Sequence, residues 1–417
     1  MAKLQPVRGT HDLLPEEARR HQRVVDVARE VGQRYGFAEM STPVFEFTEV
    51  FKRTLGDTSD VVTKEMYTFT DRGGESVTLR PEFTAGVVRS FISEGLSQQL
   101  PVRFFSTGPL FRYERPQKGR MRQFHQINME CLGIPEFQAD VEALAMGHDI
   151  LQALGVRKDT TLQINSLGDS ESRAAYRARL VEYFAARAEN LSEDSRARLD
   201  RNPLRILDSK DEGDRKIVAG APMLADSLNE HSATFFAGVR RGLDALGIEY
   251  VVNQRLVRGL DYYTHTAFEF VTTALGSQGA VMSGGRYDGL VGAMGGPPTP
   301  GIGWAGGIER LAMLMGDLAA PRRTISLVPI GDAGEARALV LAHTLRQQGL
   351  AVDLAASGNI SKRMKRADKI GARAAVLLGD DELAKGVAMV RDLASGAQRE
   401  IALDELATVL VRENGAG

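Results

Sequence analysis

Apolar residues recur at helical spacing near the start of the chain. In PEEARRHQRVVDVAREVGQRYGF these are Val24, Val27, Ala28, Val31 and Tyr35, with Pro15 ahead of them and Gly36 behind. An amphipathic helix is expected there. After Gly36 the rhythm shortens to runs such as EMSTPVFEF, EMYTFT, SVTLR and PVRFFST, broken by Gly, Asp and Pro as antiparallel strands are. FQADVEALAMGHDILQALG restores the helical period, with Val141, Leu144, Ile150, Leu151 and Leu154 facing inward. From about 170 to 222 the text is Arg- and Glu-rich with little β character, which predicts an inserted helical module. Strand text returns in EYVVNQRLVRGLDYYTHTAFEFVT, followed by a Gly-rich passage and the helix IERLAMLMG. Beyond DLAAPRRT, strands such as ISLVPIG, LAVDLAA and AAVLLG alternate with helices, so residues 325–417 form a small α/β domain.

Length and charge narrow the choices. A chain of 417 residues exceeds one ordinary core, and two or three domains are expected. The net charge of −2 excludes bulk attraction to a polyanion, so any nucleic acid must be met by local patches. MAKLQPVRGTHDLLPEE has no apolar core segment and no run reaches the roughly 20 apolar residues of a membrane span, so a cytoplasmic protein is expected. The single cysteine, Cys131, excludes an internal disulfide and a Cys-rich zinc site. Set in INMECLGI, it reads as a buried strand residue, with a catalytic thiol as the alternative. His21, His148 and His343 show no paired metal-ligand spacing and read as structural or surface residues.

Two stretches carry chemistry. FRYERPQKGRMRQFHQ places five cations around a Pro and a Gly between strand-like flanks, so ERPQKGRM is expected to be the loop of a long hairpin. A solvated charged turn is the plain alternative. Arg112 and Gln126, however, lie among aromatics on the flanks, and Arg112 calls for an anion such as phosphate or carboxylate. SGGRYDGLVGAMGGPPTPGIGWAGGIERL holds ten glycines in 29 residues, which marks either close backbone approach or a loose loop. Gly301, Gly303 and Gly306 fit G-x-G-x-x-G, yet PPTP rather than a strand precedes them, so a dinucleotide site is excluded. No P-loop motif occurs.

In order along the chain, these motifs resemble the three motifs of class II aminoacyl-tRNA synthetases. RGLDYYTHTAFEF and SGGRYDGL are similar to the histidyl-tRNA synthetase family in particular. Motif 1 is similar to residues 15–46 with Pro43, motif 2 to the F-R-x-E hairpin, and motif 3 to the Gly-rich strand and helix carrying Arg310. The resemblance implies an α+β fold, with a six-stranded antiparallel sheet and flanking helices in a catalytic domain over residues 1–320. It further implies the helical insertion, an anticodon-binding α/β domain over 325–417, and a homodimer formed through motif 1. The implied reaction joins L-histidine to the 3′ end of its tRNA through histidyl-adenylate, using ATP and Mg²⁺ and releasing AMP and pyrophosphate.

The resemblance also implies residue roles. Arg112 matches the arginine on the α-phosphate of ATP, Arg310 the arginine on the γ-phosphate, and Arg258 a family-specific arginine across the α-phosphate. Glu82, Thr84 and Gln126 resemble the groups that receive the α-ammonium of histidine. Glu130 and Tyr263 resemble the pair that reads the imidazole nitrogens, with Tyr262 and Tyr287 closing the pocket. Phe83 and His265 depart from residues more usual in the family, the former often Gly and the latter often Gly or Arg. Arg115, Gln117, Lys118 and Arg120 would approach the tRNA acceptor end. In the tail, Lys362, Arg363, Lys365, Arg366 and Lys369 share one short helix, which is either a solvated face or an RNA contact. Two other readings compete: a non-catalytic regulatory paralogue of ATP phosphoribosyltransferase, and a generic RNA-binding module. Retention of Arg112, Arg258, Arg310 and the tail domain argues against the first, and the set Glu82, Glu130 and Tyr263 against the second.

Overall fold

The helix expected at the start is α1 (Pro15–Arg34), opened by Pro15 and closed before Gly36, whose φ of 76° a side chain would strain. Val24, Val27, Ala28 and Val31 are buried, and the Tyr35 hydroxyl donates to Asp149 at 2.8 Å. The structure, a computed structural model, describes residues 3–55, 61–199, 202–207, 209, 211–256, 262–276, 279–318 and 324–415. It divides into two units, Met1–Gly316 and Asp317–Gly417.

The first unit continues through β1 (Ala38–Glu39), β2 (Phe45–Phe47), α2 (Thr48–Leu55), β3 (Tyr67–Thr70), β4 (Ser76–Leu79) and α3 (Thr84–Ser93). The long hairpin follows as β5 (Val102–Phe111) and β6 (Gln123–Leu132), then α4 (Gln138–Ala153) and β7 (Thr161–Ser166). Helices α5 (Ser170–Ala185), α6 (Glu193–Leu199), α7 (Glu212–Val218) and α8 (Glu230–Ala245) precede β8 (Val251–Val252), β9 (Thr264–Val271) and β10 (Ala280–Arg286). The unit closes with α9 (Leu290–Ala293), β11 (Gly301–Gly307) and α10 (Ile308–Leu314).

Its main sheet runs β1-β5-β6-β11-β10-β9-β7-β8. The six central strands pair antiparallel, as the sequence predicts, and the two-residue strands β1 and β8 add parallel pairs at the edges. Two-residue strands carry no readable alternation, which is why the sequence does not show them. The Gly-rich passage is no loose loop, because much of it forms β10 and β11 at the centre of this sheet. A methyl group at Gly303 would strike the Glu130 carboxylate, and one at Gly301 the Tyr287 ring. These glycines are there so that the backbone can approach those side chains.

Helices α5 to α7 enclose their own small core of Tyr176, Leu180, Phe184, Leu191, Ile206 and Leu224. Asp214 ties that module together, accepting from the hydroxyls of Ser192, Ser195 and Ser209 at 2.6–2.7 Å and from the Ser192 amide at 2.8 Å. Burial opposes its ionisation, but these hydrogen bonds prevail and hold the carboxyl down to about 2. Helix α8, by contrast, packs on α4 of the main body.

The second unit comprises β12 (Ile325–Pro329), α11 (Gly331–Gln347), β13 (Val352–Leu354), α12 (Ile360–Lys369), β14 (Ala374–Leu378), α13 (Asp380–Ala384), β15 (Val387–Asp392), β16 (Gln398–Ala402) and α14 (Leu406–Gly415). Its sheet, β13-β12-β14-β15-β16, is parallel through β14 and antiparallel beyond. The α12 cations do not act as one face. Arg363 is buried against the Pro329 carbonyl and pairs with Glu335 at 2.6 Å, and Arg366 pairs with Asp353 at 2.7 Å. Lys362, Lys365 and Lys369 are exposed. No helix among the described residues is long and apolar enough to cross a membrane.

Candidate active site

The hairpin β5–β6, the start of α3, strand β10 and the β11–α10 junction enclose a cavity of about 550 Å³. Three guanidinium groups reach it. Arg112 leaves the end of β5, where its Nε donates to the Pro81 carbonyl at 2.9 Å and its side chain is about 25% exposed. Arg310, in the first turn of α10, donates to the carbonyls of Gly119 at 3.0 Å and Ala280 at 2.6 Å. Arg120 leans in from the hairpin tip and pairs with buried Glu114. Burial pushes the Arg310 guanidinium below its ordinary value, and the charges of Arg120 and Arg112 add to that. Like charges held this close make the cavity a strong anion site.

The opposite wall is carboxylate-rich. Glu82 caps α3, its two oxygens accepting from the amides of Thr84 at 2.6 Å and Ala85 at 2.7 Å. Burial pushes its carboxyl up, while those amides and Arg112 pull it back. Glu130 lies one layer deeper. It is fully buried, accepts from the Thr84 hydroxyl at 2.5 Å, the Asn128 amide at 3.1 Å and the Tyr287 hydroxyl, and is absent from the cavity wall. Burial raises its carboxyl to about 8, against the pull of those three donors.

Sequence reasoning missed Asn128, which lines the cavity between these groups. Its side-chain nitrogen donates to Glu130 and to the Trp304 carbonyl at 3.0 Å, which fixes which amide atom is which. Its Oδ1 is buried and has no hydrogen-bond partner. An orphaned buried acceptor on a cavity-lining residue is an invitation to a ligand donor. No motif carries this signal, because it arises only when β6 meets β11.

Glu82, Thr84, Arg112, Gln126, Tyr262, Tyr263 and Arg310 all line the cavity. Tyr262 packs against Tyr263 with ring centroids 4.5 Å apart and planes tilted by 42°, and meets Tyr287 edge-on at 5.9 Å. Tyr287 itself stands behind the wall with Glu130. The Tyr263 carbonyl accepts from Arg173 of α5 at 3.0 Å, which links the helical insertion to the cavity wall. Arg258 lies outside the described residues. Phe83 is in the wall beneath the Arg80 guanidinium, 4.5 Å from the ring centroid. His265 takes a φ of 44°, in the left-handed region that favours glycine, and stacks on Phe235 at 4.7 Å. Cys131 is buried in β6, and burial raises its thiol to about 11, so the catalytic alternative falls away.

At the hairpin tip, Gln117 and Arg120 exchange backbone hydrogen bonds at 2.9 and 3.0 Å around Lys118 and Gly119. Arg115, Gln117 and Lys118 are exposed, and Arg120 is half-buried. The tip therefore divides into an outward part and one cation turned toward the cavity.

A family model described as histidyl-tRNA synthetase matches residues 9–311, and one described as anticodon binding domain matches residues 324–413. The chain belongs to the histidyl-tRNA synthetase family. A protein of Rhodospirillum rubrum named histidine–tRNA ligase is 62% identical over 99% of this chain and 100% of its own length. One of the same name from Gluconacetobacter diazotrophicus is 56% identical over 98% of this chain and 99% of its own. The crystal structure of apo S. aureus histidyl-tRNA synthetase superposes with a TM-score of 0.84 at 35% identity, covering 99% of this chain and 100% of that one. The agreement with these relatives runs the full length of the chain, tail domain included.

Proposed function

We propose that this chain attaches L-histidine to the 3′ end of its cognate tRNA through histidyl-adenylate, with ATP as the energy source and AMP and pyrophosphate as products. It is a ligase of the aminoacyl-tRNA synthetase class, and its place is the cytoplasm, with the translation machinery. The observation that carries the reading is the convergence of Arg112, Arg120 and Arg310 on one cavity whose other wall is built of carboxylates and tyrosines. ATP brings the anion and histidine the ammonium and ring.

In this reading Arg112 holds the α-phosphate and Arg310 the γ-phosphate, with Arg258 across the α-phosphate. The histidine carboxylate, ionised at neutral pH, attacks the α-phosphorus, so no general base is required. Charge that develops on the phosphoryl oxygens meets guanidinium groups already in place, which favours the transition state over the ground state. Glu114, in its pair with Arg120, and Glu269 also line the cavity, and carboxylate oxygens are of the kind Mg²⁺ takes. Mg²⁺ held there with the β- and γ-phosphates would offset their charge. The α-ammonium points to Glu82, Thr84 and Gln126. The ring lies toward Tyr263 and Asn128, with Glu130 behind them, and Tyr262 and Tyr287 close that end. A site that orphans polar groups around the wrong side chain discriminates strongly.

Histidine-dependent exchange of labelled pyrophosphate into ATP tests the reading. Exchange should require histidine, and Arg112→Ala or Arg310→Ala should lower it by about 10²–10³-fold. Folded protein that supports no exchange with histidine would refute it.

A further inference from the structure

Three side chains that the sequence keeps far apart meet beside the cavity. His21 comes from α1, His125 from β6 and Glu309 from α10, and one ligand atom from each lies within 4.8 Å of the others. All three are half-buried. Glu309 accepts the His125 amide through both oxygens, at 2.9 and 3.1 Å, and contacts His125 Nδ1 at 2.9 Å. The rings of His21 and His125 meet edge-on with centroids 5.5 Å apart.

We propose that His21, His125 and Glu309 form a binding site for a divalent transition metal of the zinc type. Two imidazoles and a carboxylate are a donor set that Zn²⁺ takes with bonds of about 2.0–2.2 Å, leaving a fourth position for water. Magnesium and calcium prefer all-oxygen sites, so the two imidazoles select against them. His125 is already oriented. Its Nδ1 is the ring atom beside the Glu309 carboxylate, so a neutral ring protonated on Nε2 would offer its Nδ1 lone pair to an ion that Glu309 also holds. The Glu309 side chain already joins α10 to the backbone of β6 at His125.

The site also has a consequence for its neighbours. His125 precedes Gln126, and Glu309 precedes Arg310, both of them residues of the cavity wall. A bound ion would clamp α1 to the two elements that present those side chains. The competing account is a bare histidine–carboxylate pair that joins β6 to α10 and binds no metal.

The test uses the full chain, stripped with a chelator and then titrated with Co²⁺ while visible d–d absorption is followed. Zn²⁺ competition against a chromophoric chelator gives the affinity. One equivalent per chain should bind, with the absorption of a four- or five-coordinate site. His21→Ala and the milder His21→Asn should each weaken binding at least about tenfold. His148→Ala, which alters a histidine–carboxylate contact elsewhere, should bind as the parent does. Thermal melts monitored by circular dichroism confirm that each variant is folded. Failure to saturate at one equivalent, or binding unchanged in both His21 variants, would overturn the proposal. Neither result bears on pyrophosphate exchange, so the two readings fail separately.

Discussion

Asn128 and Glu130 show how burial creates function at the scale of one residue. The Asn128 Oδ1 has been stripped of water without a partner, at a cost of about 1–3 kcal/mol that a ligand donor would recover. Asn128→Ala should therefore raise KM for histidine about tenfold in steady-state exchange, with a smaller change in kcat; an unchanged KM would remove the residue from the pocket. Glu130 makes a second, pH-dependent prediction. Its folded-state value of about 8 lies above the ordinary value of about 4.3 for an exposed glutamate. The folded state therefore holds a proton that the unfolded chain has lost. Stability from this group is fully present below about pH 4 and disappears as pH rises through 8. Thermal melts between pH 6 and 9 should show the parent losing stability more steeply than Glu130→Gln, which cannot ionise. Parallel pH profiles would mean that the Glu130 carboxyl is already ionised at neutral pH.

At the scale of elements, the β5–β6 hairpin sorts one run of cations into separate duties. Arg112 and Arg120 turn inward, the first to the Pro81 carbonyl and the second to Glu114, while Arg115, Gln117 and Lys118 stay in water. Replacing those three outer residues with Ala should leave histidine-dependent exchange largely intact and lower transfer to tRNA. The transfer that remains should depend less steeply on salt, because fewer phosphates are neutralised. Equal losses in both half-reactions would contradict the division. This element was legible in advance because its flanks are strand-like and its turn residues are Pro and Gly, and α1 and α4 were legible through their helical period. The partners of the charged residues were not. Arg363 reads as one of five equivalent cations until β12 and α11 fold against it. His21 and His125 look unrelated until the fold brings them together beside Glu309. Periodicity reports which face of an element is apolar, and it says nothing about what two distant faces bring together.

For the whole molecule, the small sheet β2-β4-β3 raises a question of covering. Cross-strand pairs place Phe47, Val77 and Phe69 on one face, together with Phe45, Leu79 and Tyr67. On that face Phe45, Phe47 and Phe69 are 56%, 58% and 49% exposed. The other face is fully engaged: Glu46 pairs with Arg89 at 2.5 Å, and Thr48, Thr78 and Thr68 link hydroxyls at 2.8–2.9 Å. Three large aromatics in one apolar patch are expensive to leave in water. Phe45 and Phe47 follow closely on Pro43, at the end of the segment that resembles motif 1, which makes a second copy of the chain the occupant we propose. A two-fold interface needs one self-complementary patch, and a flat aromatic sheet face meets that need. The parent protein should then sediment as a dimer, and Phe45→Asp combined with Phe47→Asp should sediment as a folded monomer, because two charges cannot be buried against the partner's aromatics without several kcal/mol of cost. A parent that sediments as a monomer, or a doubly substituted chain that remains dimeric, would place the interface elsewhere or remove it.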